Sequence, residues 1–250
     1  MHKFFTPQSL FQGEYAYIEG DDVKHIYKVL RLEEGNEVIV NNQLGEEFLG
    51  CIHSISKQSV SIRILKKLEI NNESNINIYL YQGLPKAGKM DIIVQKATEL
   101  GVKEVIPVIT SRVDVILKGE FKKLDRLQRI ALEACKQSKR TIIPNINEPI
   151  NFKDMLSNIE EKDLIVVPYE NAENYGVKAL VRDINFTKVA NVALIIGPEG
   201  GFDEEEIIAL KKINAHIVTL GPRILRTETA GFTAAALLQY ELGDLGGIIS

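Results

Sequence analysis

Apolar residues in the first 70 positions occur in short runs bounded by polar turn residues, a pattern that is typical of β-strands. One helical segment, Asp21–Leu30, interrupts this pattern, and a turn containing Asn41, Asn42 and Gly45 separates two of the runs. The pattern predicts a small, mostly β domain over residues 1–72. The strand-like runs are Glu37–Val40, Glu47–Ile52 and Ser59–Ile64.

A polar linker segment, Ile70–Asn75, leads into a second region, residues 73–250, in which strand-like runs alternate with helical segments. Helices are predicted before Gly101, over Phe121–Gln137 and over Glu228–Glu241. Such alternation predicts an α/β domain with a parallel sheet covered by helices. The apolar face of the first helix consists of Met90, Ile93, Val94, Ala97 and Leu100. The strand-like runs are Ile78–Gln82, Glu104–Ile109, Leu164–Pro168, Val192–Ile196 and His216–Leu220.

Two glycine–proline segments, Gly197–Phe202 and Leu220–Ala230, follow the last two strand-like runs. Glycine lets the backbone approach a ligand closely, and proline stiffens the neighbouring turn. In open α/β sheets, ligands bind at the carboxyl ends of the strands. The sequence therefore predicts that these two segments form two walls of one pocket.

Acidic residues narrow the choice of ligand for this pocket. Asp203 and Glu206 fit a capping box that begins a helix, and Glu199 lies in the preceding loop. A helix start that binds phosphate presents free N–H groups to the anion, and a cluster of carboxylates would repel it. We therefore expect a neutral or cationic ligand with an adenosine-like body, a description that S-adenosylmethionine meets. As an alternative, the acids at 203–206 only complement the helix dipole.

The segment Gly83–Met90 nearly matches a phosphate-binding P-loop, because it follows a strand and precedes a helix. Met90 stands where a P-loop needs Ser or Thr to bind magnesium, and Pro85 removes one backbone N–H. Nucleotide hydrolysis is therefore not expected. Lys86 and Lys89 are instead interpreted as contacts for RNA phosphates, with ordinary surface positions as the alternative.

These motifs together resemble the knotted SPOUT methyltransferases, and within them the ribosomal small-subunit RNA uridine-N3 methyltransferase family (RsmE type). The resembling segments are Ile196–Phe202, Leu220–Ala230, Leu84–Asp91, Gln95–Val102 and His25 with Lys28–Arg31. The resemblance implies a PUA-like RNA-binding barrel over residues 1–72 and a SPOUT domain with a C-terminal trefoil knot over residues 73–250. It also implies methylation, with S-adenosylmethionine, of N3 of a specific uridine in small-subunit (16S) ribosomal RNA.

Two further expectations concern the partners and the alternative function. The family resemblance favours a homodimer in which each site is completed at the interface, and small residues in the last helix permit close helix packing. A non-catalytic RNA-binding or ribosome assembly factor with the same fold is the alternative. Intact glycine loops with Glu199, Arg226 and Glu228 favour the enzyme.

The predicted chemistry assigns roles to three side chains. As the uracil N3 loses its proton, negative charge spreads to the carbonyl oxygens, and Arg226 would stabilise that charge. Glu199 or Glu228 would receive the proton if the site raises its pKa. A salt bridge from Arg226 to either glutamate is the alternative, and Thr227 is the predicted N-cap of the last helix.

The cofactor is expected along the ends of three strands. The resemblance implies that backbone groups at Leu220, Ile224 and Leu225 hold the adenine. The predicted cofactor-binding residues are Val167, Pro168, Ile196, Gly197, Pro198, Gly200, Gly201, Leu220, Gly221, Ile224 and Leu225.

The net charge of −4 conceals a basic region, because residues 86–140 hold 13 Lys and Arg against 7 Asp and Glu. A local patch is sufficient to neutralise RNA phosphates. A solvated helix face is the favoured interpretation for the basic residues at 122–129. The predicted RNA-binding residues are Lys28, Arg31, Lys86, Lys89, Lys96, Lys139 and Arg140.

Composition excludes several other classes of protein. No run approaches the roughly 18–20 apolar residues that span a membrane, and the N-terminus has no signal-peptide pattern. Cys51 and Cys135 are too few for a disulfide scaffold or a zinc site, and the histidines lack metal-ligand spacing. We therefore expect a cytoplasmic enzyme without a metal.

Overall fold

A computed structural model describes residues 1–70, 72–86, 88–114, 121–184 and 188–247. Asn71 of the predicted linker and Ala87 of the Gly83–Met90 segment lie outside the described residues. The chain forms two compact units. The first comprises Met1–Glu73 with Cys135–Ile143, and the second comprises Ser74–Ala134 with Pro144–Ser250. The sequence alone placed residues 135–143 in the second domain.

The first unit contains a sheet of six strands in the order β1-β4-β5-β6-β3-β2. Strand β1 pairs with β4 in parallel, and the other neighbours are antiparallel. Alternate residues face a core that includes Ile18, Val38 and Ile62. The predicted mostly β character is confirmed. The strands are β1 (Lys3–Phe5), β2 (Phe11–Gln12), β3 (Tyr15–Glu19), β4 (Glu37–Asn41), β5 (Glu47–Ile55) and β6 (Ser59–Leu68).

The predicted helical segment of the first unit consists of two parts. Helix α1 (Asp21–Lys24) continues into a π-helical turn, His25–Val29. Val23 and Ile26 are buried in the core of the sheet, which explains why the segment packs there. Arg31 then adopts a left-handed conformation, with φ of 52°, and this ends the helical path.

The second unit contains a parallel sheet in the order β10-β8-β7-β12-β11-β13, with β9 paired to β8. Every pair in the described part of this sheet is parallel, which confirms the predicted α/β class. Parallel strands that are covered on both faces read as continuous apolar runs, as seen in Leu164–Pro168. The strands are β7 (Asn77–Gly83), β8 (Glu104–Ile109), β9 (Asn145–Ile146), β10 (Ile150–Asn151), β11 (Leu164–Pro168), β12 (Asn191–Ile196) and β13 (His216–Val218).

Six helices lie in the described part of residues 74–247. Four residues of the predicted apolar face of α2 are buried, and Leu100 is a partly buried C-cap residue. Gly101 has the positive φ of 78° that closes a helix. Helices α4 and α5 were not predicted. No helix among the described residues has the length and apolar content of a membrane span. The helices are α2 (Lys89–Glu99), α3 (Leu124–Ser138), α4 (Phe152–Ile159), α5 (Val177–Asp183), α6 (Glu204–Lys212) and α7 (Thr227–Leu242).

The start of α7 corrects one prediction. Arg226 is the N-cap residue, and Thr227 is the first residue of the helix. The Thr227 hydroxyl donates to the carbonyl oxygen of Gly197 at 2.6 Å instead of capping its own helix. The sequence preference for Thr at N-caps was therefore overridden by a tertiary contact.

Candidate functional site

The two glycine–proline segments line one cavity of about 930 Å³ at the carboxyl ends of β11, β12 and β13. We call Gly197–Phe202 the first glycine loop and Leu220–Arg226 the second glycine loop. The predicted cofactor-binding residues that line the cavity are Pro168, Ile196, Gly197, Pro198, Gly200, Gly201, Leu220, Gly221, Ile224 and Leu225. Val167 is the exception, because it is fully buried and does not line the cavity.

A third wall of the cavity was missed from the sequence. Tyr169, Glu170, Ala172, Glu173 and Asn174 line it, directly after β11. The rule that placed the glycine loops at strand ends also applies to this strand, so the signal was present. Gly201 of the first glycine loop, with φ of 70°, lies close to this third wall, because an added Cβ would be 2.8 Å from the Glu170 carboxylate.

The first glycine loop is packed tightly against neighbouring backbone. A Cβ on Gly200 would lie 3.0 Å from the carbonyl oxygen of Arg112. A Cβ on Gly83, at the end of β7, would lie 2.8 Å from the carbonyl carbon of Gly197 and would clash with the nitrogen of Pro198. A side chain at Gly83 would force this backbone to move, and one at Gly200 would make an unusually tight contact, so both glycines permit the close packing of the loop.

The capping box that was predicted for α6 is confirmed. Asp203 accepts from the backbone N–H of Glu205 at 3.2 Å, and Glu206 accepts from that of Asp203 at 2.9 Å. The other oxygen of the buried Glu206 carboxylate accepts from Ser111 N–H at 2.9 Å. The helix start thus has carboxylates on its own N–H groups and is unsuited to an anion.

A lysine joins the two glutamates of the predicted site. The Nζ of Lys89 lies 3.1 Å from Glu199 Oε1 and 3.1 Å from Glu228 Oε2. Glu199 also accepts from the backbone N–H of Lys86 at 3.1 Å. Lys89 lines the cavity, so the structure places it in the pocket, away from the RNA role predicted for it.

This cluster shifts the pKa values of two of its members. Hydrogen bonds to Glu199 and Glu228 raise the pKa of Lys89. Burial of Glu199 by itself would raise the pKa of its carboxyl, but hydrogen bonds from backbone N–H groups and from Lys89 outweigh burial and lower that pKa. The raised pKa on which a proton-accepting role for Glu199 depended is therefore not found.

Arg226 is exposed and lines the cavity at the start of α7. Within the described ranges, no ion pair joins Arg226 to Glu199 or Glu228, since both carboxylates pair with Lys89. The salt-bridge alternative for Arg226 is thus not supported. Its guanidinium remains available to a ligand in the cavity.

The predicted RNA-binding residues divide by their surroundings. Lys28, Arg31 and Lys139 are exposed on the first unit. In the second unit, Lys86 pairs with Asp114 at 2.9 Å, and Lys96 pairs with Glu99 at 2.8 Å. These pairs are on the surface and can exchange for phosphate contacts at little cost.

Arg140 departs from the prediction. It is only 4% exposed, and its guanidinium donates to one carboxylate oxygen of Glu73 at 3.0 and 2.6 Å. The other oxygen of Glu73 accepts from the backbone N–H groups of Thr141 and Ile142 at 2.7 and 2.9 Å. Arg140 therefore has a structural position and does not offer its charge to an RNA phosphate.

Comparison with known proteins identifies the family. A family model described as an RNA methyltransferase domain matches residues 72–239, and one described as an RNA methyltransferase PUA domain matches residues 18–65. The ribosomal RNA small subunit methyltransferase E of Bacillus subtilis (strain 168) is 35% identical over 254 residues, covering 99% of each chain. The protein of the same name from Mesomycoplasma hyopneumoniae (strain 232) is 34% identical and covers 92% of this chain and 95% of its own.

Two solved structures share the whole fold. A putative methyltransferase from Legionella pneumophila, in complex with the bound cofactor SAM, has a TM-score of 0.85 at 33% identity and covers 97% of this chain and 98% of its own. The ribosomal RNA small subunit methyltransferase E of Neisseria gonorrhoeae, bound to S-adenosyl methionine, has a TM-score of 0.83 at 31% identity. It covers 98% of this chain and 99% of its own. With its parallel α/β sheet and separate PUA-type N-terminal domain, this chain belongs to the ribosomal RNA small subunit methyltransferase E family.

Proposed function

We propose that this protein transfers a methyl group from S-adenosylmethionine to N3 of a specific uridine in small-subunit (16S) ribosomal RNA. The observation that carries the proposal is the cavity between the two glycine loops, in a chain whose relatives are ribosomal RNA small subunit methyltransferases. Solved relatives are described with the methyl donor bound. The uridine and its N3 atom come from the family resemblance.

The residues of the cavity suit this cofactor. Gly200 and Gly201 lie where a Cβ would meet Arg112 or Glu170, so backbone and not side chain forms this wall. The nearby carboxylates favour a cation over a phosphate. We assign the adenine to the backbone of Leu220, Ile224 and Leu225. S-adenosylmethionine, when bound, supplies an electrophilic methyl group on a positively charged sulfur.

The side chains of the site then divide the remaining tasks. Arg226 stabilises the negative charge that spreads over the uracil carbonyl oxygens when N3 is deprotonated. Lys89 holds Glu199 and Glu228 side by side and offsets their mutual repulsion. Because the pKa of Glu199 is lowered, Glu199 is a weak proton acceptor, and Glu228 is the remaining candidate for receiving the N3 proton.

We assign RNA binding to the PUA-type first unit together with lysines of the second. Lys28, Arg31 and Lys139 have exposed side chains, and a phosphate needs such accessible charge. Lys86 and Lys96 are added from the second unit, and Arg140 is omitted because its guanidinium is buried on Glu73.

The finer features of the family resemblance complete the proposal. They are a trefoil knot in the second unit and a homodimer, and we add the cytoplasmic location that was expected from composition. The buried small residues of α7, Gly231, Ala234 and Ala235, pack within their own unit. The exposed face of α7, which includes the 65% exposed Tyr240, is therefore the part of the helix that we assign to the dimer contact.

Mapping of the modified base tests the function. Small-subunit particles and protein-free RNA from a strain that lacks this protein are incubated with the enzyme and isotopically labelled S-adenosylmethionine. We expect one labelled uridine, with the label on N3 as determined by mass spectrometry of the isolated nucleoside. Label on another atom would refute the uridine-N3 assignment, and RNA binding without any label would favour the non-catalytic assembly factor.

A further inference from the structure

A buried chain of polar groups connects the two walls of the cavity. Gln82 lies near the end of β7, is 0% exposed and donates from Nε2 to the hydroxyl of Thr227 at 2.8 Å. The Thr227 hydroxyl donates in turn to the carbonyl oxygen of Gly197 at 2.6 Å. We call the Gln82 amide, the Thr227 hydroxyl and the Gly197 carbonyl the Gln82–Thr227 relay.

The direction of the relay follows from its neighbours. Gln82 Nε2 also lies 3.1 Å from the carbonyl oxygen of Gly83, which can only accept a hydrogen bond. The amide nitrogen of Gln82, and not its amide oxygen, must therefore face the Gly83 carbonyl and the Thr227 hydroxyl. Thr227 accepts from Gln82, so its single hydroxyl proton is directed to Gly197. Each partner has one consistent role.

The relay connects three elements that the chain keeps far apart in sequence. Gln82 belongs to β7, Gly197 opens the first glycine loop, and Thr227 directly follows the second glycine loop. Gly197 and Thr227 line the cavity, whereas Gln82 does not. Gly83 allows β7 to approach the first glycine loop, and Gly231 leaves room for the Gln82 side chain, whose Oε1 would lie 3.4 Å from an added Cβ.

We propose that Gln82 and Thr227 are positioning residues that hold the two glycine loops at the separation required by the methyl donor. This role rests on the proposed function and deepens it. A loop that presents backbone groups to a ligand binds tightly only when its position is fixed before binding. Gln82 acts through Thr227, and Thr227 acts through the Gly197 carbonyl. Gln82 therefore affects the affinity for the methyl donor without contacting it.

The test compares variants of the two relay side chains. Thr227→Val keeps the shape but removes the hydroxyl, Thr227→Ser restores the hydroxyl, and Gln82→Met removes the amide at similar length. Thr98→Val is the matched control, because the buried Thr98 hydroxyl donates at 2.7 Å to Val94 inside α2 and does not line the cavity. Calorimetry measures Kd for S-adenosylmethionine and S-adenosylhomocysteine, and thermal unfolding measures stability.

We expect Thr227→Val and Gln82→Met each to weaken binding of both ligands about tenfold, the effect of leaving a buried polar group unpaired. Thr227→Ser should stay within about threefold of the wild type, and Thr98→Val should lower stability without changing Kd. The double variant of Gln82→Met and Thr227→Val should bind no more weakly than the worse single variant, because the two residues act in one chain.

Three results would count against the relay. Unchanged Kd values in folded Thr227→Val and Gln82→Met would remove its role in positioning. Additive losses in the double variant would show that the two residues act separately. An equal loss of affinity in Thr98→Val would show that the variants weaken binding through a general loss of stability and not through the relay. If the wild-type protein binds neither ligand, the proposed function itself fails and takes this role with it, an outcome that is distinct from wild-type binding with unaffected variants.

Discussion

The two glycine loops line the same cavity but differ in how the rest of the chain holds them. The first glycine loop is anchored at both ends: Phe202 is buried, and the Gly197 carbonyl accepts from the Thr227 hydroxyl. The second glycine loop is open to solvent, with Ile224 87% exposed and both of its arginines exposed. One wall is built by packing, and the other presents side chains.

This difference predicts that mutations in the two loops have different consequences. A wall fixed by buried contacts gives a ligand a preformed backbone surface, which lowers the cost of ordering on binding. A large apolar side chain at 87% exposure gains nothing from the folded chain itself and can be covered by a ligand or partner. We therefore expect changes that displace the first loop to weaken cofactor affinity strongly. In the second loop, we expect replacement of the exposed Arg226 to affect mainly chemistry and replacement of the exposed Ile224 side chain to change affinity only slightly.

The largest expected effect is on turnover, from the second loop. Arg226→Ala should reduce kcat by about two or more orders of magnitude, because the charge on the uracil oxygens loses its donor. Affinity for the methyl donor should fall far less. Arg226→Lys should recover little, since an ammonium cannot reproduce the guanidinium fork. Single-turnover methylation assays check this, and a folded Arg226→Ala protein within a few-fold of wild type would contradict it.

The next effect is on affinity, from the first loop. Gly83→Ala places a Cβ against the backbone of Gly197 and Pro198, which must move. Binding of S-adenosylmethionine should weaken by about tenfold or more, with a loss of stability of about 1–3 kcal/mol. A Kd equal to that of the wild type in a folded Gly83→Ala protein would show that the first loop is not rigidly built.

A change outside both loops separates RNA binding from the pocket. The double variant Lys28→Ala and Arg31→Ala should lower the slope of log affinity against log salt by about one to two units. Kd for the methyl donor should not change. Lys57→Ala, an exposed lysine of the same unit, serves as the charge control. An unaltered salt slope in the double variant would move the RNA surface elsewhere.

Lys89→Met tests the cluster that lies between the loops. In the wild type, the lowered pKa of Glu199 keeps its carboxylate ionised as the pH falls past the ordinary range. Without Lys89, burial and the nearby Glu228 carboxylate raise that pKa. Affinity for the cationic methyl donor should then begin to fall at a higher pH than in wild type. Titrations across pH measure this, and superimposable profiles would refute the proposed coupling.

The smallest effect is expected from Ile224→Ala. Since Ile224 buries little in the folded chain, stability should stay within about 0.5 kcal/mol of wild type. If its side chain packs on the adenine, Kd for the methyl donor should rise about threefold through lost apolar contact. Parallel unfolding and binding measurements separate the effect on stability from the effect on Kd. A large loss of stability would contradict the description of the second loop as open to solvent.

The sequence predicted the features that depend on local pattern. Buried parallel strands are continuous apolar runs, so β8 and β11 were predicted with the bounds that the structure has. The capping box at Asp203 and Glu206 was also readable, because both partners lie within one helical turn. The short helices α4 and α5 were missed, since few residues carry their periodicity.

Long-range pairing explains the errors within the site. A basic residue beside a turn looks the same in sequence whether it is solvated or buried, and Glu73 lies far from Arg140 along the chain. Likewise, nothing local to Lys89 indicates that Glu199 and Glu228 would converge on it. The Thr227 hydroxyl was assigned to its own helix because the approach of Gly197 is a tertiary contact.

The most direct test of the central claim is the ligand preference of the cavity between the glycine loops. Calorimetric titration of the wild-type protein with S-adenosylmethionine and, separately, with ATP compares a cationic with a polyanionic adenosine ligand in the same pocket. We predict saturable binding of S-adenosylmethionine and far weaker binding of ATP, because Glu199 and the capped start of α6 disfavour phosphate. Tight binding of ATP without any binding of S-adenosylmethionine would contradict the account.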